Sequence, residues 1–251
     1  MEGVMIKSSE EWRKEFTELG CIRVYGESCK EHAALAHGVH SDTITDCWPF
    51  LSSPARVRAA CTDLISILKS FWAEHPTLDT HVDRFIGPPV SGWPIAYELA
   101  GMRGVKWVVA RENLLHTAPS AVQRGVGRAD VSTDEEAEYF SFEGASLQSR
   151  DVSVIADDIA LTGREISMTI DAAQRIGVIV ANPVLVLINR LRPNEWTPGE
   201  VTHPRSLVHM RSVRALFDLE ARYWPDNNCA LCTEGSSPIR RKVKWSVRTH
   251  S

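Results

Sequence analysis

The chain has 251 residues, of which 43% are hydrophobic and 24% are charged, as is typical of a globular protein. Its formal net charge of -4 gives no overall electrostatic attraction to nucleic acid or to an anionic membrane. No apolar run is long enough to span a bilayer, and the first residues lack a secretory pattern. The spacing of the six cysteines does not indicate a disulfide framework. We therefore expect a cytoplasmic protein in a reducing setting.

Two amphipathic helices are predicted in the N-terminal third of the chain. Ser8 and Glu11 form a capping box that opens a short helix, and Gly20 ends it. Ser53-Pro54 opens a longer helix, since proline is favoured at the first helical position. Apolar residues recur along this second helix at helical spacing, which predicts a buried stripe of Val57, Cys61, Leu64, Leu68 and Phe71.

The segment between these helices carries two histidines that are candidates for contacting a small polar ligand. Residues 38–41 are interpreted as a turn and residues 43–47 as a strand. His37 precedes the turn and His40 lies within it. Two surface histidines in a turn are the more common arrangement, so composition alone favours a structural position over ligand binding.

The middle of the chain alternates strand and helix patterns. Strands are predicted at residues 82–87, 105–110 and 137–142, and a helix is predicted at residues 94–100 between the first two strands. Such an alternation predicts a fold of the α/β class, with a parallel sheet flanked by helices.

Residues 151–176 form the stretch that is most informative about function. An apolar run predicts a strand buried on both faces, and the adjacent carboxylates Asp157 and Asp158 follow it. A Thr162-Gly163 turn then leads into an amphipathic helix. Ligands of parallel sheets bind beyond the carboxyl ends of the strands, so this segment and the loop after Gly87 should meet at one crevice. Turn and helix amides suit a phosphate and carboxylates suit hydroxyls, which predicts a phosphorylated sugar or nucleotide as ligand.

The C-terminal part combines further elements with a basic tail. Strands are predicted within residues 178–190 and at residues 207–210, and Ser212 is predicted to cap a last helix in which Leu219 packs inward. We expect residues 1–223 to form one domain and residues 224–251 a separate tail. The basic run of the tail is most often a solvated segment, although it would also suit an acidic protein or a nucleic acid as partner.

The tail contains one Cys-x-x-Cys pair, Cys229 and Cys232. Two thiols supply only half of the four ligands of a structural zinc site, so His203, His209 or a second subunit would have to supply the others. A surface loop with two free thiols is the more common explanation of such a pair.

From about Leu35 to Ala221 the chain resembles the type I phosphoribosyltransferases, and among them the orotate phosphoribosyltransferases. Residues 154–163, VIADDIALTG, are similar to the family's loop for phosphoribosyl pyrophosphate (PRPP). Residues 87–96, GPPVSGWPIA, are similar to its pyrophosphate loop. Residues 38–54 resemble the base-binding segment of the orotate branch, and Glu143-Gly144 lies where that branch has Glu-Gly before its core strand.

This resemblance implies a parallel sheet flanked by helices, with a small hood formed by about residues 20–50. It also implies a homodimeric enzyme that uses Mg2+ with PRPP, in which a ring nitrogen of a base displaces pyrophosphate at the anomeric carbon. The implied catalytic residues are Asp157, Asp158, Arg111 and His116. The implied PRPP contacts are Asp157, Asp158, Ala160, Thr162, Gly163, Arg164, Glu165, Pro89, Ser91 and Gly92, and the implied base contacts are His37, His40 and Ser41.

Several positions depart from the family's pattern. Leu114 occupies the place of a lid lysine whose charge steadies the departing pyrophosphate, and leucine supplies no such charge. Glu165 replaces a threonine or serine that helps to hold the 5-phosphate, and a carboxylate there would repel a phosphate. Leu161 and Ser91 replace a threonine and a glycine of the two loops.

These departures leave more than one function open. The first is a divergent phosphoribosyltransferase that acts on a nucleobase-like acceptor. The second is a catalytically impaired protein of the same fold that senses PRPP or a nucleotide, or regulates a larger assembly. A sugar-phosphate or nucleotide hydrolase on the same scaffold is a third function, because a fold alone does not determine a reaction.

Overall fold

A computed structural model describes residues 6–26, 29–35, 38–78, 80–114, 138–144, 147–191 and 212–240. Its helices are α1 (Ser9–Glu18), α2 (Trp48–Leu51), α3 (Pro54–Glu74), α4 (Gly92–Arg103), α5 (Arg164–Arg175) and α6 (Ala230–Thr233). None of the helices in these ranges combines the length and the apolar character that a membrane crossing requires. The capping box of α1 and the buried stripe of α3 are both present as predicted.

The central sheet confirms the predicted parallel α/β architecture. Its strands are β5 (Arg84–Gly87), β6 (Lys106–Leu114), β7 (Glu138–Gly144), β8 (Val152–Ala160), β9 (Ile179–Val180), β10 (Val184–Asn189) and β11 (Val213–Asp218). They lie in the order β11-β10-β8-β5-β6-β7, and β9 pairs with the first residues of β8. All of these pairs are parallel except β6 with β7, which is antiparallel.

The core has one hydrophobic layer on each face of this sheet, because successive strand residues point to opposite faces. Val154 and Ala156 of β8 pack in the same layer as Leu64 of α3 and Leu99 of α4. Ile155, which lies between them in the chain, packs in the other layer with residues of α5. A strand that is covered on both faces must be apolar throughout, which explains the continuous apolar run in the sequence.

A second, smaller sheet forms the hood. It contains β2 (Glu31–Ala34), β3 (Val39–Ser41), β12 (Tyr223–Pro225) and β13 (Ser237–Ile239), in the order β12-β3-β2-β13. Nearby, β1 (Ile22–Val24) pairs antiparallel with β4 (Thr43–Thr45). Two of the hood strands come from the C-terminal segment that was expected to be a tail, so that segment completes the hood sheet. The domain boundary at residue 223 stays a prediction.

Two predictions of local structure are wrong. The expected helix after Ser212 is strand β11, which pairs in parallel with β10. Leu216 and Phe217 are both buried. An apolar run as short as this one fits either a helix or a strand, and the pairing with β10 decides between them. The expected turn at residues 38–41 is mostly strand β3, whose partner β12 lies far away in sequence. The strand predicted at residues 207–210 falls outside the described residues.

Asp63 joins α1 to α3 and generates a prediction about stability. Its buried carboxylate accepts hydrogen bonds from Trp12 Nε1 (2.8 Å) and from the backbone N of Lys7 (3.1 Å). Replacing Asp63 by alanine leaves both donors without this acceptor, so we expect a loss of about 1–3 kcal/mol in the free energy of unfolding. Chemical denaturation measures this loss. The control is Asp171→Ala on α5, where an exposed ion pair with Arg175 should contribute less than about 1 kcal/mol; equal losses in both variants would contradict the prediction.

Candidate functional site

The site expected from the sequence forms at the carboxyl ends of β5 and β8, which are neighbours in the sheet. The loop at residues 87–92, the carboxylates Asp157 and Asp158, and the Thr162-Gly163 turn make up what we call the strand-end site. Ser91 Oγ donates a hydrogen bond to Asp158 Oδ1 (2.8 Å), which joins the loop to β8 directly. The predicted meeting of the segments after Gly87 and after Ala156 is therefore confirmed.

Two glycines allow close packing of the 87–92 loop, Gly92 against β8 and Gly87 against the other end of the loop. A Cβ atom on Gly92 would lie 2.8 Å from the carbonyl oxygen of Ala156 and 3.1 Å from Asp157 Oδ1. A Cβ atom on Gly87 would lie 2.6 Å from the carbonyl oxygen of Gly92. Both distances to backbone oxygens are too short for a side chain, so glycine is required at each position. Within the loop, the peptide bond between Pro89 and Val90 is cis.

Asp157 and Asp158 form a pair of hydrogen-bond acceptors that is largely removed from solvent. Asp157 is 2% exposed, and its Oδ1 accepts a hydrogen bond from the backbone N of Asp158 (2.9 Å). Desolvation raises the pKa of Asp157 well above its ordinary value, and the charges of Asp158 and Glu165 raise it further. Desolvation also raises the pKa of Asp158, whereas the hydrogen bond from Ser91 opposes the rise. Hydroxyl donors on a ligand would stabilise the ionised forms of this pair.

The Thr162-Gly163 turn sets the direction in which α5 leaves the strand-end site. Gly163 has a φ of 72°, in the left-handed region that favours glycine, and it caps the N-terminus of α5. Thr162 Oγ1 accepts a hydrogen bond from the backbone N of Arg164 (3.3 Å). The first turn of a helix leaves backbone N–H groups without helical partners, and these are suited to an anion.

Glu165 places a titratable carboxylate in this first turn. Its side chain reaches solvent, yet the surrounding protein atoms desolvate it enough to raise its pKa to about 7. The negative charges of Asp158 and Glu112 contribute to the rise, and the positive charge of Arg164 opposes it. The helix end therefore carries a carboxylate whose charge changes near neutral pH.

Comparisons with known proteins identify the fold. No family model matches the chain. The chain is 23% identical over 213 residues to the orotate phosphoribosyltransferase of Chlorobium phaeobacteroides, covering 85% of this chain and 88% of that protein. Among solved structures, it matches the orotate phosphoribosyltransferase of Aeropyrum pernix with a TM-score of 0.52 and 18% identity, over 82% of this chain and 93% of that one. The chain has the fold of the type I phosphoribosyltransferases.

A second structural match places the same fold within a longer protein. The chain aligns with the UMP synthase of Leishmania donovani with a TM-score of 0.55 and 19% identity, over 85% of this chain. It spans only 37% of that protein. Together these matches confirm the resemblance to orotate phosphoribosyltransferases that the two loop motifs predicted.

Two residues predicted to contact the base, Ser41 and His40, form hydrogen bonds with other protein side chains or backbone. Ser41 is fully buried, and its Oγ accepts hydrogen bonds from Arg190 Nη2 (3.4 Å) and from the backbone N of Thr43 (3.1 Å). His40 is buried beside His32 in the hood, at 3.1 Å between His40 Nδ1 and His32 Nε2.

The remaining predicted residues lie on the sheet or beyond the described ranges. Arg111 on β6 forms an exposed ion pair with Glu143 on β7. Ala160 is buried, and its carbonyl oxygen accepts a hydrogen bond from the backbone N of Arg190 (2.8 Å). His37 and His116 fall outside the residues that the structure describes, as does the side chain of Leu114.

Two residues near the site were missed by the sequence interpretation. Cys47 is buried, and its thiol donates a hydrogen bond to Asp158; desolvation and the charge of Asp158 raise the pKa of the thiol well above its ordinary value. Arg190 lies just past the end of β10, the neighbour of β8, and its Nη2 also donates to the carbonyl oxygen of Thr43 (3.1 Å). Its place at the carboxyl end of a parallel strand was the signal that could have identified it.

The close approach at Gly92 predicts a loss of stability on substitution. In a Gly92→Ala variant the new Cβ meets backbone oxygen, so the 87–92 loop or β8 has to shift, and we expect a loss of about 1–3 kcal/mol in the free energy of unfolding. Gly101→Ala is the matched control, since it lies in the same helix with nothing within 4 Å of the added Cβ. That variant should gain up to about 1 kcal/mol. Urea denaturation of both variants measures the difference, and equal effects would show that the contact at Gly92 is relaxed in solution.

Proposed function

We propose that this protein is a phosphoribosyltransferase that binds PRPP with Mg2+ and transfers ribose 5-phosphate to a nucleobase-like acceptor with release of pyrophosphate. The observation that carries the proposal is the strand-end site itself. There the desolvated acceptors Asp157 and Asp158 lie between a glycine-dependent loop and a helix N-terminus. The fold and the similarity to orotate phosphoribosyltransferases support it.

Each part of PRPP has a complementary part in the site. The two ribose hydroxyls would donate hydrogen bonds to Asp157 and Asp158, which are acceptors without protons when ionised. The 5-phosphate would lie at the Thr162-Gly163 turn, where the amides of the first helical turn favour an anion. The backbone of the 87–92 loop would lie against the pyrophosphate, because its glycines hold the loop close to β8 beside Asp157.

Magnesium fits this site as an ion that arrives with the substrate. Mg2+ keeps most of its ligands as waters and substrate phosphates, with one or two protein carboxylates nearby, and Asp157 and Asp158 are the two carboxylates of the strand-end site. Bound there, the ion would neutralise part of the negative charge on the pyrophosphate.

The proposed reaction is a substitution at the anomeric carbon of the ribose. A ring nitrogen of the acceptor forms a bond to this carbon while the bond from the carbon to the pyrophosphate oxygen breaks. The electron pair leaves with the pyrophosphate, and the proton of the nitrogen passes to solvent water. A nearby cation would stabilise the leaving group. Arg111, which lies among the described residues, is our candidate for this cation.

The proposal includes a homodimer in the cytoplasm. Tyr97 on α4 and Trp107 on β6 are both exposed and make an edge-to-face contact with 5.3 Å between ring centroids. Exposed aromatic groups are enriched at protein interfaces, so this surface supports a contact with a second copy. The basic tail would be available for an acidic protein or a nucleic-acid partner, as its composition predicts.

Titration calorimetry of PRPP with MgCl2 into the full-length chain tests the proposal. We expect Asp157→Asn and Asp158→Asn each to weaken PRPP binding about tenfold or more, since each removes a charge-assisted hydrogen bond. Asp171→Asn, an exposed carboxylate on the far part of α5, is the matched control and should bind like the wild type. Absence of binding by the wild type would contradict the function. Binding without pyrophosphate release across a panel of bases would favour the sensing or regulatory alternative.

The raised pKa of Glu165 generates a prediction about pH. Because this carboxylate becomes ionised as the pH rises through about 7, it adds a negative charge beside the proposed phosphate position. We expect Glu165→Gln to bind ribose 5-phosphate about as well as the wild type at pH 6 and several-fold more tightly at pH 8. The ionisation of the phosphate itself is common to both proteins and cancels in the ratio of their dissociation constants. A ratio that stays constant between these pH values would place Glu165 away from the phosphate.

A further inference from the structure

Four potential metal ligands converge in the hood, away from the strand-end site. They are His32 on β2, His40 on β3, and Cys229 and Cys232 at the start of α6. One nitrogen or sulfur atom of each residue lies within 4.8 Å of the corresponding atoms of the other three. His32, His40 and Cys229 are buried and Cys232 is partly buried, so the group is shielded from solvent. We call these four residues the His/Cys cluster.

Hydrogen bonding among the four side chains does not account for the arrangement. His32 Nε2 lies 3.1 Å from His40 Nδ1, 3.6 Å from Cys229 Sγ and 3.5 Å from Cys232 Sγ. An imidazole nitrogen has either one proton or one lone pair, so it forms one good hydrogen bond rather than three. Three heteroatoms around a single nitrogen indicate instead that all four atoms surround a common point.

The distances fit a tetrahedral zinc centre. Zinc bonds of about 2.0–2.1 Å to nitrogen and about 2.3 Å to sulfur place two nitrogen ligands about 3.3 Å apart and a nitrogen and a sulfur ligand about 3.5 Å apart. The two nitrogens here are 3.1 Å apart, and three of the four nitrogen–sulfur distances are 3.6, 3.5 and 3.4 Å; the ligand atoms all lie within 4.8 Å of one another. A set of two thiolates and two imidazoles is also the ligand chemistry that zinc prefers.

Hydrogen bonds outside the cluster orient its ligands. His32 Nδ1 lies 2.9 Å from Ser236 Oγ, so its proton can be donated to that hydroxyl while Nε2 faces the cluster. On the cysteine side, Thr233 donates both its backbone N and its Oγ1 to the carbonyl oxygen of Cys229, each at 3.1 Å. This turn holds Cys229 and Cys232 on the same side of the chain.

We propose that the His/Cys cluster binds one Zn2+ ion as a structural site. All four positions of a tetrahedral centre are filled by protein atoms, which leaves none for a substrate or a reactive water. The ion would fasten the segment of Cys229 and Cys232 to hood strands that lie 197 and 200 residues away at His32. His40 would then be a metal ligand rather than a contact for the base. The proposal depends on the cluster alone and not on the phosphoribosyltransferase activity.

Metal analysis of the full-length, untagged protein, purified without chelators and with a reducing agent, tests the proposal. We expect about one zinc ion per chain in the wild type. Cys232→Ser and His32→Gln should each lose most of it. Cys29→Ser is the matched control, because Cys29 is a free cysteine outside the cluster, and this variant should keep the wild-type zinc content.

A second measurement on the wild type covers variants that fail to fold. Zinc is removed with a chelator under reducing conditions, and Co2+ or Zn2+ is then added alone. We expect the visible absorption bands of tetrahedral, thiolate-bound Co2+, and a rise in melting temperature on adding either ion. The proposal would be overturned if the purified protein contained no zinc and the chelated protein gave no cobalt spectrum. A disulfide between Cys229 and Cys232 in protein purified without reductant would equally overturn it, and iron in place of zinc would overturn the choice of metal.

Discussion

The electrostatic cost of two adjacent desolvated carboxylates is the constraint on which the strand-end site depends. Asp157 and Asp158 lie at the end of a strand that is covered on both faces, and burial disfavours the charged form of each. Their neighbours reduce this cost: the backbone N of Asp158, the hydroxyl of Ser91 and the thiol of Cys47 all donate to the pair. A ligand that brings further hydroxyl donors would be stabilised for the same reason, and a diol is such a ligand.

The departures from the family's motifs acquire different meanings in the structure. Ser91 replaces a glycine of the pyrophosphate loop, but its hydroxyl donates to Asp158 and so contributes to the acceptor pair. Glu165 adds a negative charge to a helix end that otherwise favours anions, and its raised pKa limits that charge near neutral pH. Serine in place of glycine at position 91 therefore contributes a hydrogen bond to the site. Glutamate at position 165 instead makes the proposed phosphate position sensitive to pH.

The hood is held together by residues that are remote in sequence. Asp42, which is buried, accepts hydrogen bonds from the backbone N (2.9 Å) and Nε (2.7 Å) of Arg222. The side chain of Arg190 reaches from the end of β10 into the hood and donates to Thr45 Oγ1 (2.8 Å). The contacts of Asp42 connect the N-terminal strands of the hood with the C-terminal segment that contains β12 and β13. A metal ion at the His/Cys cluster would add a further cross-link between the same two parts of the chain.

The sequence by itself determined the parallel α/β character of the central sheet and pointed to Asp157 and Asp158 as acceptors. The continuous apolar run before Asp157 and the helical spacing along α3 are local patterns, and local patterns are sufficient where one element contains its own period. The same reasoning placed the Thr162-Gly163 turn at the N-terminus of α5. The two loop motifs also identified the phosphoribosyltransferase fold, because loop chemistry is carried by short contiguous stretches.

Tertiary structure alone decided the features that depend on long-range contacts. The sequence predicted a helix where the structure has strand β11, because a short apolar run has no clear period. Pairing with the backbone of β10 decides that this run is a strand. The raised pKa of Glu165 depends on desolvation by the surrounding protein atoms and on the charges of Asp158 and Glu112, which no spacing in the sequence reveals. Among the described residues, His32 and His40 are the partners of Cys229 and Cys232, whereas His203 and His209 lie outside those residues. Hood strands from the two ends of the chain bring these residues together, and only the folded sheet shows that pairing.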